Sequence, residues 1–102
     1  MKMTAKIPLD REKTAEFCRR HHIRRLALFG SVLRDDFRPD SDVDVLVEFE
    51  PGISVGLIRM AGMELELSEL LQRRVDLRTP AELSRYFRDE VVKSAQVQYA
   101  QG

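Results

Sequence analysis

Three aspartates and one Gly-Ser pair are the residues of this chain whose types and spacing could do chemistry. Asp42 and Asp44 stand two positions apart at the entrance of an apolar run, Val43-Asp44-Val45-Leu46-Val47. On an extended strand, residues two apart point to one face. Adjacent carboxylates repel each other and lower strand propensity, and both stay ionised cheaply only with a cation between them. Oxygen donors of this kind suit Mg²⁺, which takes one or two protein carboxylates together with phosphate oxygens and water. Asp76 lies between Val75 and Leu77 in another short apolar stretch. A carboxylate there contradicts its surroundings, and such local inconsistencies are expected at functional sites. If the Asp76 strand lies beside the Asp44 strand with both acids on one face, three carboxylates meet. Three are enough for two Mg²⁺ ions ~3.5–4 Å apart, or for a metal on two and a proton acceptor in the third.

Gly30-Ser31 supplies an anion-binding half. Glycine lets the backbone approach a phosphate closely, and a serine hydroxyl with the free N–H groups of a following helix start can hydrogen-bond its oxygens. Arg34 and Arg38 add positive charge nearby. Each piece alone has a bland reading: a Gly-Ser after a strand is a turn, Asp-Val-Asp a solvated strand entrance, Asp76 an edge-strand residue. Together, in this order, they describe a site for a metal–nucleoside triphosphate complex.

The positioning elements can be read from periodicity and punctuation. Residues 1–9 form a loose lead-in. Asp10 caps a helix running to about His22, with arginines near its end to suit the helix dipole. Residues 24–29 read as a strand stopped by Gly30, and 31–34 as a short helix. Residues 38–42 are loop, and 43–50 form a strand closed by Pro51-Gly52. Residues 54–72 read as a long helix whose apolar positions spread beyond one stripe. Either a second side meets a partner, or a kink at Gly62 lets one chain bury both sides. Residues 74–78 form a strand. Thr79-Pro80-Ala81-Glu82 carries the capping-box pattern of a helix expected to reach about Ala95, followed by a helix extension or frayed tail. If strands 24–29 and 43–50 are antiparallel neighbours, Gly30-Ser31 comes to lie beside Asp42 and Asp44, so this topology is preferred. The fold class is α/β (α+β): a small mixed sheet covered by helices.

With 102 residues the chain is expected to form a single domain, too small for a separate substrate domain. Seventeen basic and seventeen acidic residues cancel, which argues against a general nucleic-acid binder, whose affinity needs a basic excess. The single cysteine, Cys18, cannot form an internal disulfide and reads as a small buried hydrophobe. The N-terminus lacks the apolar core of a leader, and no apolar run approaches the ~18 residues of a membrane span, so a cytoplasmic protein is expected. His21 and His22 point apart on a helix and read as surface residues. Arg73, Arg74, Arg85 and Arg88 read as solvated charge.

The order strand, Gly30-Ser31, about ten residues, Asp42-Val43-Asp44, then a later strand with Asp76 resembles the signature of the DNA polymerase beta-like nucleotidyltransferase superfamily. The short chain, with "LFGSVLRDDFRPDSDVDVLVEFEPG" and "ELSELLQRRVDL", is similar to the minimal nucleotidyltransferases, the MNT family, from about Ile23 to Tyr99. Where many members carry Arg-Gly after Gly-Ser-x-x, this chain has Arg34-Asp35. The resemblance implies a polymerase beta-like nucleotidyltransferase fold, with Asp42, Asp44 and Asp76 as metal ligands and catalytic residues. Gly30, Ser31, Arg34 and Arg38 would bind the nucleotide. It implies Mg²⁺, two ions, and ATP as substrate. It also implies an antitoxin that transfers AMP to a tyrosine of a partner HEPN-domain ribonuclease toxin and forms a hetero-oligomer with it. Two alternatives stay open: an antitoxin that neutralises by binding alone, and a small-molecule nucleotidyltransferase of the aminoglycoside-modifying kind.

Overall fold

The computed structural model describes residues 10–30, 41–86 and 88–101. Chain order is α1 (Arg11–Arg20), β1 (Ile23–Phe29), β2 (Val43–Phe49), α2 (Leu57–Leu71), β3 (Val75–Arg78), a 3₁₀ turn (Pro80–Glu82), α3 (Arg88–Ser94) and β4 (Gln96–Ala100). The four strands form one mixed sheet in the order β3-β2-β1-β4. β1 pairs antiparallel with both β2 and β4, and β2 pairs parallel with β3.

Alternation along the strands sorts the sheet into two faces. Leu26 and Leu28 of β1, Val43, Val45 and Val47 of β2, and Val75 and Leu77 of β3 share one face and are buried. Phe17 and Cys18 of α1 and Met63 and Leu67 of α2 close over them to complete the core. The opposite face carries Phe29, Asp44, Leu46, Asp76 and Arg78. The valines flanking Asp44 are fully buried on the helix-covered side, so the acid is presented from a rigid base.

Local chemistry explains most boundaries. Asp10 is the N-cap of α1, and its Oδ1 accepts the Lys13 N–H (3.1 Å). α1 buries Thr14, Phe17 and Cys18, the i, i+3, i+4 stripe of a helix lying on a core. α2 starts at Leu57, three residues later than the periodicity predicts. Its N-cap is Gly56, held extended (φ −82°, ψ 173°), whose carbonyl accepts the Met60 N–H (3.0 Å). The chain does not bury both sides of α2, so the reading with a kink at Gly62 is corrected. Met63 and Leu67 face the core, while Leu57 (88 %), Ile58 (90 %) and Leu65 (69 %) lie open to solvent.

Two further expectations are corrected. The helix expected from Thr79 to about Ala95 is broken. Glu82 does accept the Thr79 N–H (3.0 Å) and hydroxyl (3.1 Å), but only a 3₁₀ turn follows. Leu83 turns extended (φ −82°, ψ 147°), and Ser84 Oγ takes the Tyr86 N–H (3.3 Å), a local bond that competes with helix continuation. The expected helix extension or frayed tail is β4, which makes β1 a central strand. The expected helix over 31–34, and residues 38–40 of the expected loop, lie outside the described residues. Among the described residues, no helix is long and apolar enough to cross a membrane.

Candidate active site

The site is built where β1 ends and β2 and β3 begin. Parallel pairing sets Asp44 directly opposite Asp76, and antiparallel pairing sets Phe29 opposite Asp44. Both conditions stated for the site therefore hold: β1 and β2 are antiparallel neighbours, and Asp76 shares the face of Asp44. Asp42 is the residue before β2 rather than within it.

Gly30 follows Phe29 in the left-handed region (φ +75°), where side chains are disfavoured. A Cβ built on it would lie 2.2 Å from Asp44 Oδ2 and 3.1 Å from its Cγ. The backbone conformation favours glycine here, and any side chain at this position would also push the Asp44 carboxylate aside. Ser31, Arg34 and Arg38 lie outside the described residues.

Arginines surround the carboxylates. Arg78 stands two positions past Asp76 on the same face. Its Nε donates to Asp76 Oδ1 (3.0 Å) and its Nη2 to Oδ2 (3.3 Å). This holds the guanidinium yet more firmly protonated, first through the hydrogen bond to Asp76 and then through its charge. Partial desolvation opposes the shift, and Glu82 and Asp44 add to it. Arg74 Nε lies 3.9 Å from Asp42 Oδ1, and Arg73 Nη2 donates to the Ser41 carbonyl (3.3 Å). The pair read as solvated charge thus borders the entrance of β2, where the Val43 N–H also donates to the Arg74 carbonyl (2.8 Å).

Edge strand β3 is fixed from α2. Glu64 Oε2 accepts the Leu77 N–H (2.7 Å). Ser68 Oγ accepts the Val75 N–H (3.0 Å) and donates to the Glu64 carbonyl (2.7 Å). These bonds hold the backbone on either side of Asp76. Beyond them, an open groove of ≈ 550 Å³ runs between the start of α2 (Leu57, Met60, Ala61) and Asp76, Arg78 and Thr79.

The donor set suits a hard divalent cation: carboxylate oxygens opposed in register, on a rigid base, against a glycine. Among the described residues, however, no three His, Cys, Asp or Glu side chains are gathered closely enough to hold a metal. The reason is local. Asp76 is turned to Arg78, and Asp42 lies toward Arg74 ahead of the strand.

Sequence reasoning missed Arg78, although an Arg two positions after the strand Asp must share its face. Glu64 and Ser68 left no such signal, because their role depends on α2 lying beside β3. The expectation for His21 also needs correction. His21 is mostly buried, its ring tilted on Phe17 (4.8 Å between centroids) and its Nε2 2.9 Å from Glu66 Oε1. Cys18 is fully buried, and desolvation pushes its thiol up to about 12, fitting the inert apolar reading.

Comparison with known proteins agrees with this fold. Residues 11–98 match the family described as "Nucleotidyltransferase domain". A candidate protein adenylyltransferase of Methanocaldococcus jannaschii is 33% identical over 76 residues, 74% of this chain and 80% of that protein. The protein adenylyltransferase MntA of Thermococcus cleftensis is 42% identical over 62 residues, 61% of each chain. A solved complex of tri-AMPylated Shewanella oneidensis HEPN toxin with MNT antitoxin shares the fold. It superposes with TM-score 0.65 at 20% identity, over 89% of this chain and 70% of that one.

Proposed function

Because the chain belongs to the nucleotidyltransferase domain family, we propose that it transfers AMP from ATP to a tyrosine hydroxyl of a HEPN-domain toxin. Residues 1–102 would act as one catalytic domain, in the cytoplasm, in a hetero-oligomer with that toxin. The observation that carries this reading is the register: Asp44 opposite Asp76 on adjacent parallel strands, with Gly30 against the Asp44 carboxylate.

In the transfer, the tyrosine oxygen bonds to the α-phosphorus while the bond from that phosphorus to the oxygen bridging to the β-phosphate breaks. Pyrophosphate leaves with the bridging electron pair, and the phenolic proton passes to a base. Phenol has a pKa near ~10, so attack at neutral pH needs such help. Asp76, which lines the groove, would assist as third metal ligand or as the base that takes the proton. Asp42, Asp44 and Asp76 would hold Mg²⁺, two ions, whose charge neutralises the triphosphate and polarises the reacting oxygens. Gly30 and Ser31 would cradle the β- and γ-phosphates, with Arg34 and Arg38 adding charge.

Intact-mass measurement of the toxin after incubation with this chain, ATP and Mg²⁺ tests the proposal. The expected result is mass added in steps of one AMP on a tyrosine. Phosphate-sized steps, or no step with any nucleotide, would sink it.

The exposed Leu57, Ile58 and Leu65 of α2 favour a second reading, neutralisation by binding alone. An Asp44→Asn chain that protects cells from the toxin as well as wild type would favour that reading over catalysis.

A further inference from the structure

Arg78 engages both oxygens of Asp76 at once, in the fork geometry of a bidentate arginine–carboxylate pair. A divalent cation that ligates Asp76 needs one of those oxygens. Each oxygen keeps a second lone pair, so the guanidinium competes with the metal through its positive charge and by occupying one acceptor position on each oxygen. Asp44, opposite Asp76 across the parallel pair, adds a second carboxylate whose charge acts on Arg78.

We propose that Arg78 is a resident counter-cation of this site. It holds Asp76 while no nucleotide is bound, yields the carboxylate to the metal–nucleotide complex, and re-pairs with a phosphate oxygen. The proposal rests on the nucleotidyl-transfer reading above.

Three features support the exchange. Arg78 is the last residue of an edge strand, and its side chain is about half exposed (47%), so the arm has room to swing. The next residues are pinned by Glu82 on Thr79, so the motion is confined to the side chain. The guanidinium fork fits a phosphate as well as it fits a carboxylate, and stays charged throughout. The arrangement also solves a folding problem. Like charges directly opposite on adjacent strands are destabilising, and a built-in cation lets both acids stay ionised before metal arrives.

Mn²⁺ titration followed by electron paramagnetic resonance, without nucleotide, tests the competition. Arg78→Gln should bind Mn²⁺ more tightly than wild type by up to about fivefold, the scale of losing one exposed competing charge. Arg78→Lys keeps the charge but not the fork and should fall between; it also serves if the Gln variant folds poorly without metal. In an Asp76→Asn background, Arg78→Gln should raise Mn²⁺ affinity by less than it does with Asp76 present. With a non-hydrolysable ATP analogue present the order should reverse, the Gln variant binding the Mn²⁺–nucleotide complex more weakly. Equal or weaker Mn²⁺ affinity of Arg78→Gln without nucleotide, or no Mn²⁺ binding by either chain, overturns the competition. Equal or tighter nucleotide binding overturns the re-pairing. None of these readings requires AMP transfer, so failure to modify a toxin would show separately.

Discussion

Two arginine–carboxylate contacts in this chain differ in what faces the acid. Ahead of β1, Glu66 of α2 lies between Arg20 and His21, both at the end of α1. Beyond the end of β1, Asp76 meets Arg78 on one side and, across the sheet, another carboxylate in register. The first arrangement ties two helices together with opposite charges. The second sets like charges opposite each other, which costs stability unless something else is gained. A carboxylate surrounded by donors is explained by the fold. A carboxylate set against a carboxylate, on a buried valine base and beside a glycine whose Cβ would displace it, is an arrangement that a bound cation would offset.

That contrast gives opposite signs for stability. Asp44→Asn should reduce AMP transfer by roughly 10³-fold, the scale of losing one preorganised charge-stabilising group. Asp76→Asn should reduce it by about 10²–10⁴, the scale of losing a positioned base. In metal-free buffer, Asp44→Asn should leave the melting temperature unchanged or raise it, because it removes like-charge opposition. Single-turnover transfer and thermal melts on the same preparations check both. A clear drop in melting temperature for Asp44→Asn would erase the distinction between the two regions.

Gly30→Ala comes next in size. The added methyl would lie 2.2 Å from Asp44 Oδ2, at a backbone φ of +75° that alanine disfavours. Something must move, and a misplacement near ~1 Å at a reacting centre costs about 10²-fold. Transfer should fall by that order while stability falls by about 1–2 kcal/mol from the backbone strain. Urea unfolding beside the transfer assay separates the two effects. Wild-type transfer in Gly30→Ala would mean that the Asp44 carboxylate does not need its present position.

The sequence made the carboxylate end of the sheet legible and the rest of the chain less so, for a physical reason. Asp44 and Asp76 contradict the strands around them, and that contradiction is local. So is the Asp10 cap. β4 was missed because Gln96–Ala100 follows a helical stretch, and its five residues gain strand character only from pairing with β1. The capping-box pattern at Thr79 and Glu82 was read correctly, but its helix stopped where Ser84 offered a competing local bond. Glu64, Ser68 and His21 act across elements, and their roles follow from how α2 lies against β3 and α1. No spacing along the chain encodes that placement.

The smallest expected effect tests the other half of the comparison. The hydrogen bond from Arg20, then that from His21, hold the Glu66 carboxyl below the usual carboxylate range, with partial desolvation opposing them. A carboxylate depressed in the folded state stabilises the fold above its unfolded pKa of ~4.3, and that stability is lost as pH falls through the folded value. Glu66→Gln cannot ionise and lacks the contribution at every pH. At neutral pH it should be less stable than wild type by no more than about 1 kcal/mol, since the pair is partly exposed. The gap should narrow below pH ~4.3 and close once the wild-type carboxyl is protonated. Urea unfolding of both chains at neutral and acid pH measures it. AMP transfer should be unchanged, because Glu66 joins α1 to α2 and pairs with neither Asp44 nor Asp76. A pH-independent gap would remove the ion pair as its cause, and a loss of transfer would mean that the helix contact and the sheet end are coupled.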